Sequence, residues 1–427
     1  MTRSPRWRME TGHVELGGRP TFYGPGMPGP AGRQSPGVRD PPSALVVGAG
    51  TGGLSAARAL WSAGWQVEVL EQARQLDPVG AGITLWPNAV RALDSLGIQR
   101  HDHAARPGAG GLRTPSGRWL SRTDTASYPR RFGAPLIAVH RADLQQALLD
   151  ALPDGTVTTG TRVTGVHQDD TGVTVEHSAG QRRAALVVLA DGLASATRHL
   201  VTGSETGLRY AGYTAWRGVA DADTGQPELP GTTESWGRGQ RFGLVPLIDG
   251  RTYWFATANA PEHQYAPDGA VGEHAEVLRR FTGWHAPIEA VVAATPARSV
   301  LRHDVYELAP APGSYVRGRL VLLGDAAHAM TPNLGQGACQ ALEDSATLGA
   351  LLHPGTDVAP ALARYDTLRR PRARLISRRS ARVGTLGQLH GRISTTAREL
   401  LMRITPSSAI DRQLASTLDW QPPTAAP

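Results

Sequence analysis

Three glycines and an acid early in the chain have the spacing of a dinucleotide-binding site. Gly48, Gly50 and Gly53 follow the pattern G-x-G-x-x-G, and Glu71 comes 18 residues after Gly53. The first glycine permits a sharp turn, the second lets a pyrophosphate approach the backbone, and the third lets a helix pack closely. An acid at this distance accepts hydrogen bonds from an adenosine ribose, which favours FAD or NAD over NADP. The loop alone does not choose between FAD and NAD, and a glycine-rich structural turn is the alternative interpretation.

The elements around this motif are those of a βαβ unit. The apolar run over 44–47 predicts a buried parallel strand. Apolar residues at helical intervals then predict a helix that Gly64 ends, and a second strand follows over 66–70. Because the helix begins at the glycines, its N-terminal N–H groups face the expected phosphates.

Two later strands also end on an acid, as the cofactor-side loops of a doubly wound sheet do. The buried run ALVVLA leads to Asp191, and the run RLVLLGD ends on Asp325. Gly335 and Gly337 lead the helix that follows. The sequence therefore predicts several loops that meet at one edge of an α/β sheet.

Two further positions are candidates for contact with a ligand. Gly82 permits close backbone approach, and Arg141 stands at the junction of a predicted strand and helix. An arginine at such a junction is either solvated or clamps a phosphate.

Composition excludes several classes of protein. The chain has 427 residues and a formal net charge of +7, and its single cysteine, Cys339, rules out an internal disulfide and favours the cytoplasm. The chain contains no lysine, which excludes Schiff-base chemistry and a P-loop lysine. No apolar run approaches the roughly 20 residues of a membrane span. We expect no metal site and no nucleic-acid partner, since no binding module of either kind is recognisable.

Changes in composition and in the hydrophobic pattern divide the chain into five segments. They are a disordered extension over 1–43, a first part of the dinucleotide-binding domain over 44–200, a β-sheet substrate domain over 201–300, a second part of the first domain over 301–352, and a helical region over 353–427. Glycine, proline and arginine without periodicity mark the extension, and alternating aromatic segments mark the sheet. The arginines between 364 and 382 predict a solvated helix face.

Three motifs, taken in order, carry a resemblance to a known family. GAGTGG with Glu71, LADGLASATR and LLGDAAHAMTPNLGQGACQALEDS resemble the single-component FAD-dependent aromatic hydroxylases, whose type enzyme is p-hydroxybenzoate hydroxylase. The resemblance implies an α/β fold, with a Rossmann-like FAD-binding domain, an inserted β-sheet substrate domain and a C-terminal helical segment. It implies tightly bound FAD, with NADH or NADPH as a transient co-substrate.

The resemblance also assigns roles to individual residues. It implies that Glu71 binds the adenosine ribose and that Arg141 contacts the cofactor. Asp191 matches an Asp-Gly motif shared by FAD and the pyridine nucleotide, and Asp325 matches the position that binds the ribityl chain.

The GQGAC stretch implies stabilisation of the reduced flavin. A helix starting near Gly335, with Gly337 and Ala338 at its beginning, would point N–H groups at the flavin N1 and C2 carbonyl region, where reduced flavin carries negative charge. The alternative is that the glycines only cap a helix. The small size of Cys339 explains that residue better than reactivity does.

The activity implied by the resemblance is hydroxylation or epoxidation of an aromatic or heteroaromatic small molecule by O2, through a flavin C4a-hydroperoxide. One alternative is an oxidase or reductase of the same fold that transfers no oxygen. Another is a non-catalytic flavin-binding regulator. A flavin-dependent halogenase is disfavoured, because that class uses a lysine and this chain has none. The substrate, the choice of pyridine nucleotide and the oligomeric state stay open.

A local similarity points to two candidate catalytic residues. RFGLVPLIDGRTYWF is similar to a segment of the bacterial FAD-dependent urate hydroxylases, whose substrate-contacting arginine and tyrosine fall on Arg241 and Tyr253. A two-residue hairpin at Asp249 and Gly250 would place the two side chains on opposite faces of the sheet. A three-residue loop with Gly250 left-handed places them on one face. Joint function therefore requires the longer loop, and a structural role in the sheet is the alternative.

The segment YAGYTAWRG is a second candidate strand for the pocket. Tyr213 and Arg217 share one face, and Trp216 lies on the other. Only one of these faces can line a pocket, and core packing is the favoured role for Trp216.

Overall fold

The computed structural model describes residues 41–76, 81–98, 104–203, 206–222, 229, 231–353, 355–405 and 407–424. The extension predicted over 1–43 lies outside the described residues as far as residue 40. In chain order the strands are β1 Ser43–Val47, β2 Gln66–Leu70, β3 Gly82–Leu85, β4 Ala109–Arg113, β5 Trp119–Thr123, β6 Ile137–His140, β7 Val157–Thr158, β8 Val163–Gln168, β9 Val173–His177, β10 Gly180–Ala184, β11 Leu186–Leu189, β12 Gly207–Ala220, β13 Gly231–Trp236, β14 Gln240–Pro246, β15 Thr252–Asn259, β16 Leu301–Ala309, β17 Val316–Arg317 and β18 Leu320–Leu322. The helices are α1 Thr51–Ser62, α2 Pro87–Ser95, α3 Tyr128–Phe132, α4 Arg141–Asp150, α5 His199–Thr202, α6 Gly269–Phe281, α7 Ile288–Ala293, α8 Asp325–His328, α9 Gly337–Leu351, α10 Val358–Gly387, α11 Arg392–Ile404 and α12 Ser407–Leu418.

A six-stranded sheet carries the predicted cofactor loops. Its strand order is β17-β18-β11-β1-β2-β7, and neighbouring strands are parallel except for β17 and β18. Its central strands are apolar along their whole length because both faces are covered, as the buried side chains of Leu45, Val46 and Val188 show. The helices α1 and α9 pack against each other beside this sheet. The predicted α/β fold is confirmed.

A second sheet has the order β16-β12-β15-β14-β13-β4-β5 and is antiparallel except for the β13–β4 pair. It extends beyond the predicted segment 201–300, because β4 and β5 precede that segment and β16 follows it. Strand β4 pairs with β13 more than 100 residues away. The segment LRTPSGRWLS predicts the β4–β5 hairpin, which is present, but pairing over such a distance leaves no local pattern that would assign it to this sheet.

The two faces of the second sheet have different neighbours. One face packs on α6 and α7 through a cluster that includes Trp216, Phe242 and Trp254. The favoured core role of Trp216 is therefore confirmed. The opposite face carries Arg241 and Tyr253. Arg241 contacts Asn333 in the loop before α9, and Tyr253 contacts Gly82 at the start of β3.

The connection between β14 and β15 decides which residues share that opposite face. Pairing continues to Leu247, whose N–H donates to the Arg251 carbonyl at 2.9 Å, so the loop has three residues. Gly250 within it has a φ of +81°, which is the left-handed region. The resulting register places Arg241 and Tyr253 on one face, so of the two loop lengths considered the structure has the one that joint function requires.

The C-terminal region is helical, as predicted, and consists of α10, α11 and α12. The prediction of a solvated arginine face on α10 is wrong for Arg369, whose side chain is 1% exposed because it faces acids on α9. Within the described ranges, every helix is either too short or too polar to cross a membrane.

Candidate active site

In the glycine loop between β1 and α1, two of the three glycines have no room for a side chain, whereas the third has open space beside it. Gly48 has a φ of +100°, and a Cβ there would lie 2.5 Å from the Ala190 carbonyl oxygen. A Cβ on Gly53 would lie 1.8 Å from the Gly48 carbonyl oxygen. A Cβ on Gly50 would meet nothing within 4 Å. The space beside Gly50, at the N-terminus of α1, therefore fits a pyrophosphate.

Glu71 lies at the mouth of this loop. One carboxylate oxygen accepts a hydrogen bond from the Ala49 N–H at 2.7 Å, and the other accepts one from the Ala73 N–H at 2.8 Å. The carboxylate is thereby fixed at the end of β2, with lone pairs left for another donor. Ribose binding by Glu71 stays a prediction.

The Asp191 side chain is held by its own loop. It accepts hydrogen bonds from the Ser195 hydroxyl at 2.6 Å and from the Thr197 hydroxyl at 3.0 Å. The adjacent Arg198, which the sequence analysis did not single out, donates to the Leu193 carbonyl at 2.8 Å and to the Ala326 carbonyl at 2.7 Å. Arg198 therefore ties the Asp191 loop to the loop that carries Asp325.

Asp325 and the start of α9 lie side by side. Asp325 is exposed at the beginning of α8, and its Oδ1 atom is 3.9 Å from where a Cβ on Gly337 would be. The helix α9 begins at Gly337, not at Gly335, which forms a left-handed turn with φ of +61° before it. Ala338 follows in the first turn, where N–H groups have no partner inside the helix. These donors, the Asp325 carboxylate and the open glycine loop together form a site that fits FAD.

A charge network lies behind this helix N-terminus, and all of its members are buried except Arg372, which is partly exposed. Arg369 of α10 donates to Glu343 at 2.5 Å and to Asp344 at 2.7 Å. Arg372 also donates to Glu343 at 2.6 Å, and His328 contacts Asp344 at 2.6 Å. Burial alone would raise the pKa of both carboxyls, but these cations outweigh it and lower both values. The network fixes α9 against α10.

Cys339, in the first turn of α9, is a packing residue. Its side chain is buried, and its thiol lies 3.4 Å from the Gly335 carbonyl oxygen. Burial raises the pKa of the thiol to about 12, so no thiolate forms at neutral pH. This agrees with the prediction that size and not reactivity explains the cysteine.

Arg241 is fixed between the second sheet and the loop that precedes α9. Its side chain is 2% exposed, Nη2 donates to Asn333 Oδ1 at 2.6 Å, and Nε donates to Thr257 Oγ1 at 3.2 Å. Its Cδ atom lies 2.8 Å from where a Cβ on Gly387 would be. Asn333 therefore joins the sheet arginine to the cofactor loop, a link for which the sequence had no signal beyond the position of Asn333 two residues before Gly335.

A carboxylate that the sequence analysis missed stands beside Arg241. Glu234 Oε1 lies 3.4 Å from Arg241 Nη1, and neither atom has a hydrogen-bond partner within the described residues. Burial raises the pKa of Glu234, and the charge of Arg241 opposes this rise. The only sequence signal was an acid on the inward side of an alternating strand.

Tyr253 lies at the other end of the same face. A Cβ on Gly82 would be 2.4 Å from the Tyr253 ring, so this ring takes the space where a ligand was expected to approach Gly82. Burial raises the pKa of Tyr253, while the nearby Arg217 and Arg141 oppose the rise. Arg141 is exposed at the start of α4, and its N–H donates to the Ala81 carbonyl at 2.8 Å.

The second candidate strand contributes to the same face. The Tyr213 hydroxyl donates to Asn333 Oδ1 at 3.2 Å, and the Arg217 guanidinium lies near Tyr253 and opposes the rise of its pKa. The structure therefore places all four residues on one face, with Tyr213 near Arg241 at one end and Arg217 near Tyr253 at the other.

A cavity of about 280 Å³ opens beside Asn333 and Tyr213. Glu307, Arg209 and Gln388 also line it. The cavity is next to the partners of Arg241 and not at the glycine loop.

Comparison with known proteins agrees with this geometry. Residues 42–380 match the family described as FAD binding domain. The aurachin C monooxygenase/isomerase of Stigmatella aurantiaca is 40% identical over 382 residues, which cover 88% of this chain and 98% of that protein. The FAD-dependent urate hydroxylase of Klebsiella pneumoniae is 36% identical over 338 residues, which cover 78% and 86%. The crystal structure of Klebsiella pneumoniae HpxO complexed with FAD and uric acid matches with a TM-score of 0.82 at 32% identity, over 88% of this chain and 96% of that chain. The chain belongs to the FAD binding domain family and is an FAD-dependent monooxygenase of the single-component aromatic hydroxylase group.

Proposed function

We propose that the enzyme uses NADH or NADPH and O2 to insert one oxygen atom into an aromatic or heteroaromatic small molecule. The observation that carries this proposal is the shared face of the second sheet. Arg241, Tyr213, Arg217 and Tyr253 all lie on it, and Asn333 links it to the loop before α9. The substrates in the names of the relatives, urate and 3-amino-4-hydroxybenzoate, are planar rings with polar substituents.

The cofactor site divides into three parts. Gly48, Gly50 and Gly53 with the α1 N-terminus would hold the pyrophosphate, and Glu71 the adenosine ribose. FAD, when bound, supplies the redox and oxygen chemistry of the reaction. The N–H groups at the start of α9 would stabilise negative charge placed before them, and they need no reorganisation because the buried network fixes the helix.

Two groups at one end of the sheet face would bind and deprotonate the substrate. Arg241 is immobilised through Nε and Nη2, and Nη1, which lies 3.4 Å from Glu234 but makes no hydrogen bond, would bind a carboxylate, phenolate or carbonyl oxygen. Glu234, with its raised pKa and its Oε1 without a hydrogen bond, can take a proton from a ring O–H or N–H. Removal of that proton makes the ring richer in electrons at the carbon to be oxidised.

Tyr253, which lies near Arg217, would donate a hydrogen bond to a ring oxygen or nitrogen at the other end. Arg141 and Asp191 are proposed cofactor contacts, and Asp325 is the proposed ligand of the ribityl chain. The near-complete burial of Arg241 keeps water away from its end of the face. A cytoplasmic location is also proposed, since Cys339 is a free thiol.

The decisive test is oxygen transfer. Purified enzyme loaded with FAD is screened for substrate-dependent oxidation of NADH and NADPH across phenols, purines and quinolones, under ¹⁸O₂. We expect one labelled atom in the product. Release of hydrogen peroxide with no labelled product from any ligand would favour the oxidase or reductase alternative. No turnover with either nucleotide would favour the non-catalytic regulator.

A matched pair of variants tests the substrate end of the site. Arg241→Gln should lower kcat/KM by roughly 10- to 100-fold, as expected for the loss of a hydrogen bond from a charged group. Arg251→Gln, in the same hairpin but bound to Asp249 at the surface, should leave kcat/KM unchanged. Equal activities in the two variants would exclude Arg241 from the substrate site.

A further inference from the structure

The helix α11 is amphipathic, but unlike most surface helices it turns its polar side to the protein and its apolar side to solvent. Its buried residues are polar, namely Thr395 and Arg398. Its exposed side is apolar and carries Ile393, Leu400, Leu401 and Ile404, of which Ile393 is 88% exposed. An ordinary surface helix turns its apolar stripe to the core. We define the α11 face as these four exposed side chains.

The inward side of α11 is well fixed, so the exposed apolar face is not the result of a loosely attached helix. Arg398 donates to the Gly237 carbonyl at 2.9 Å and to the Leu386 and Gly387 carbonyls, each at 3.2 Å. Its guanidinium also lies over the Trp236 ring, 5.4 Å from the ring centre. These contacts hold the polar side against the protein and the apolar side in solvent.

Charge identifies the partner of the α11 face. Arg392 and Arg403 are exposed and stand one position before Ile393 and Ile404, so with about 3.6 residues per turn they lie on one edge of the apolar stripe. Glu399 lies on the same edge, but it pairs with the exposed Arg118 at 3.7 Å, so the edge keeps a net positive charge. Helices with an apolar face edged by arginine lie in the interface of anionic membranes. The whole chain carries a formal charge of +7, which adds to this attraction.

A second copy of the chain fits this face less well. A symmetric contact through α11 would bring the arginine edges of two copies close together. The helix has 13 residues, so its footprint is about 20 Å by about 10 Å, far below the ~800 Å² per partner of a stable dimer.

We propose that the α11 face docks the enzyme on an anionic membrane surface. The four aliphatic side chains enter the boundary between headgroups and acyl chains, and Arg392 and Arg403 contact lipid phosphates. The inference does not depend on the substrate. It places the Arg241 end of the sheet near the bilayer, because Arg398 binds the Gly387 carbonyl and Gly387 packs on Arg241.

The test is sedimentation of full-length, FAD-loaded enzyme with vesicles. Vesicles of equal parts phosphatidylcholine and phosphatidylglycerol should bind the enzyme, and pure phosphatidylcholine should bind it much less. High salt should weaken the binding because it screens the arginine contacts. Leu400→Ser with Leu401→Ser should lower the partition coefficient at least about tenfold, and Arg403→Gln about fivefold.

A matched double variant controls for general surface hydrophobicity. Ile248→Ser with Leu208→Ser removes two exposed aliphatic side chains from the second sheet, 58% and 42% exposed, and should leave binding unchanged. All exchanged residues are exposed, so the variants should fold and keep FAD absorbance. Absence of binding by the unmodified enzyme, or equal losses in the two double variants, would overturn the proposal. So would a dimer in light scattering that dissociates in the Leu400 and Leu401 variant without any vesicle binding.

Discussion

Replacement of Arg369 by methionine should destabilise the protein, whereas the same change at the next residue should not. Arg369 in α10 donates four hydrogen bonds to α9, to Asp344 at 2.7 Å, to Glu343 at 2.5 Å, and to the Gln340 side-chain and main-chain oxygens at 2.8 and 3.2 Å. Methionine retains most of the aliphatic stem and removes the guanidinium. The variant therefore tests the charge network rather than the packing of the stem.

The expected loss of folding stability depends on which partners the two carboxylates keep in the variant. Glu343 keeps its bonds to Arg372, and Asp344 keeps His328, so neither carboxylate is stripped of every partner. Removal of one partner from a buried ion pair commonly costs about 3–5 kcal/mol, because a charge stays buried without compensation. Because each carboxylate keeps a partner, we expect a loss at the lower end of that range, about 3 kcal/mol, for Arg369→Met.

Arg370→Met is the matched control. Arg370 pairs with Asp366 one helical turn earlier, at 3.0 Å, and both side chains are partly exposed. Such pairs contribute about 0.3–0.5 kcal/mol. Urea unfolding followed by circular dichroism should therefore show a much lower midpoint for Arg369→Met and almost no change for Arg370→Met. Equal midpoints in both variants would refute the assignment of a stabilising network.

The pH dependence gives an independent check. Burial alone would raise the pKa values of Glu343 and Asp344, but Arg369 and its neighbours hold them below their ordinary values of 4.5 and 3.8. A lowered pKa in the folded state contributes stability above the ordinary pKa, and this is lost as pH falls through the folded value. The gap between the native protein and Arg369→Met should therefore stay constant from pH 7 to about 4.5 and narrow only as pH falls further, through the lowered folded pKa values. A gap that does not change with pH would contradict this explanation.

Four further changes have specific expected outcomes. Gly53→Ala should prevent folding, since its Cβ would lie 1.8 Å from a carbonyl oxygen, whereas Gly50→Ala should fold but bind FAD weakly in fluorescence titration. Cys339 should resist thiol reagents at pH 8 and react after denaturation, because burial raises its pKa to about 12. Glu234→Gln should remove the acidic limb of the kcat/KM profile, since a base with a raised pKa loses activity as pH falls through that value. Arg198→Lys should weaken FAD binding about tenfold or more, measured by flavin fluorescence, because lysine cannot reach both loops.

Local turn chemistry explains why the face of Arg241 and Tyr253 was predictable. Asp249 and Gly250 permit only a few loop lengths, and a side chain in a strand changes face with every residue. Whether the two residues share a face was thereby reduced to the length of one loop, and Gly250 with φ of +81° shows the three-residue loop that places them on one face. No knowledge of distant contacts was needed.

Distant contacts explain the failures. Arg369 and Arg370 are neighbours in a run of arginines, and only a rotation of about 100° around the helix separates the buried from the exposed one. The buried side of α10 is apolar on both sides of this position, with Leu362, Tyr365, Ala373 and Ile376 buried at helical intervals, and Arg369 lies in the same line. At Arg369 itself acids on α9 replace apolar cover, and a charged residue within a buried stripe is not expected from hydrophobicity alone. Glu234 and Asn333 are similar cases. Each is a candidate only because it contacts Arg241 in the fold, and Asn333 is far from Arg241 in sequence.

The chain has no lysine, and several of its arginines join segments that are far apart in sequence. Arg91, Arg198 and Arg398 each donate to backbone carbonyls of segments far away in the chain, such as Trp420 at 2.8 Å for Arg91. Burial lowers the pKa of all three, but from an ordinary value of 12.5, so each keeps its charge at neutral pH. A guanidinium has five donors in a fixed plane and can join two segments at once, which an ammonium does less well. Because the acceptors are main-chain carbonyls, no side chain in the sequence indicates which arginines act in this way.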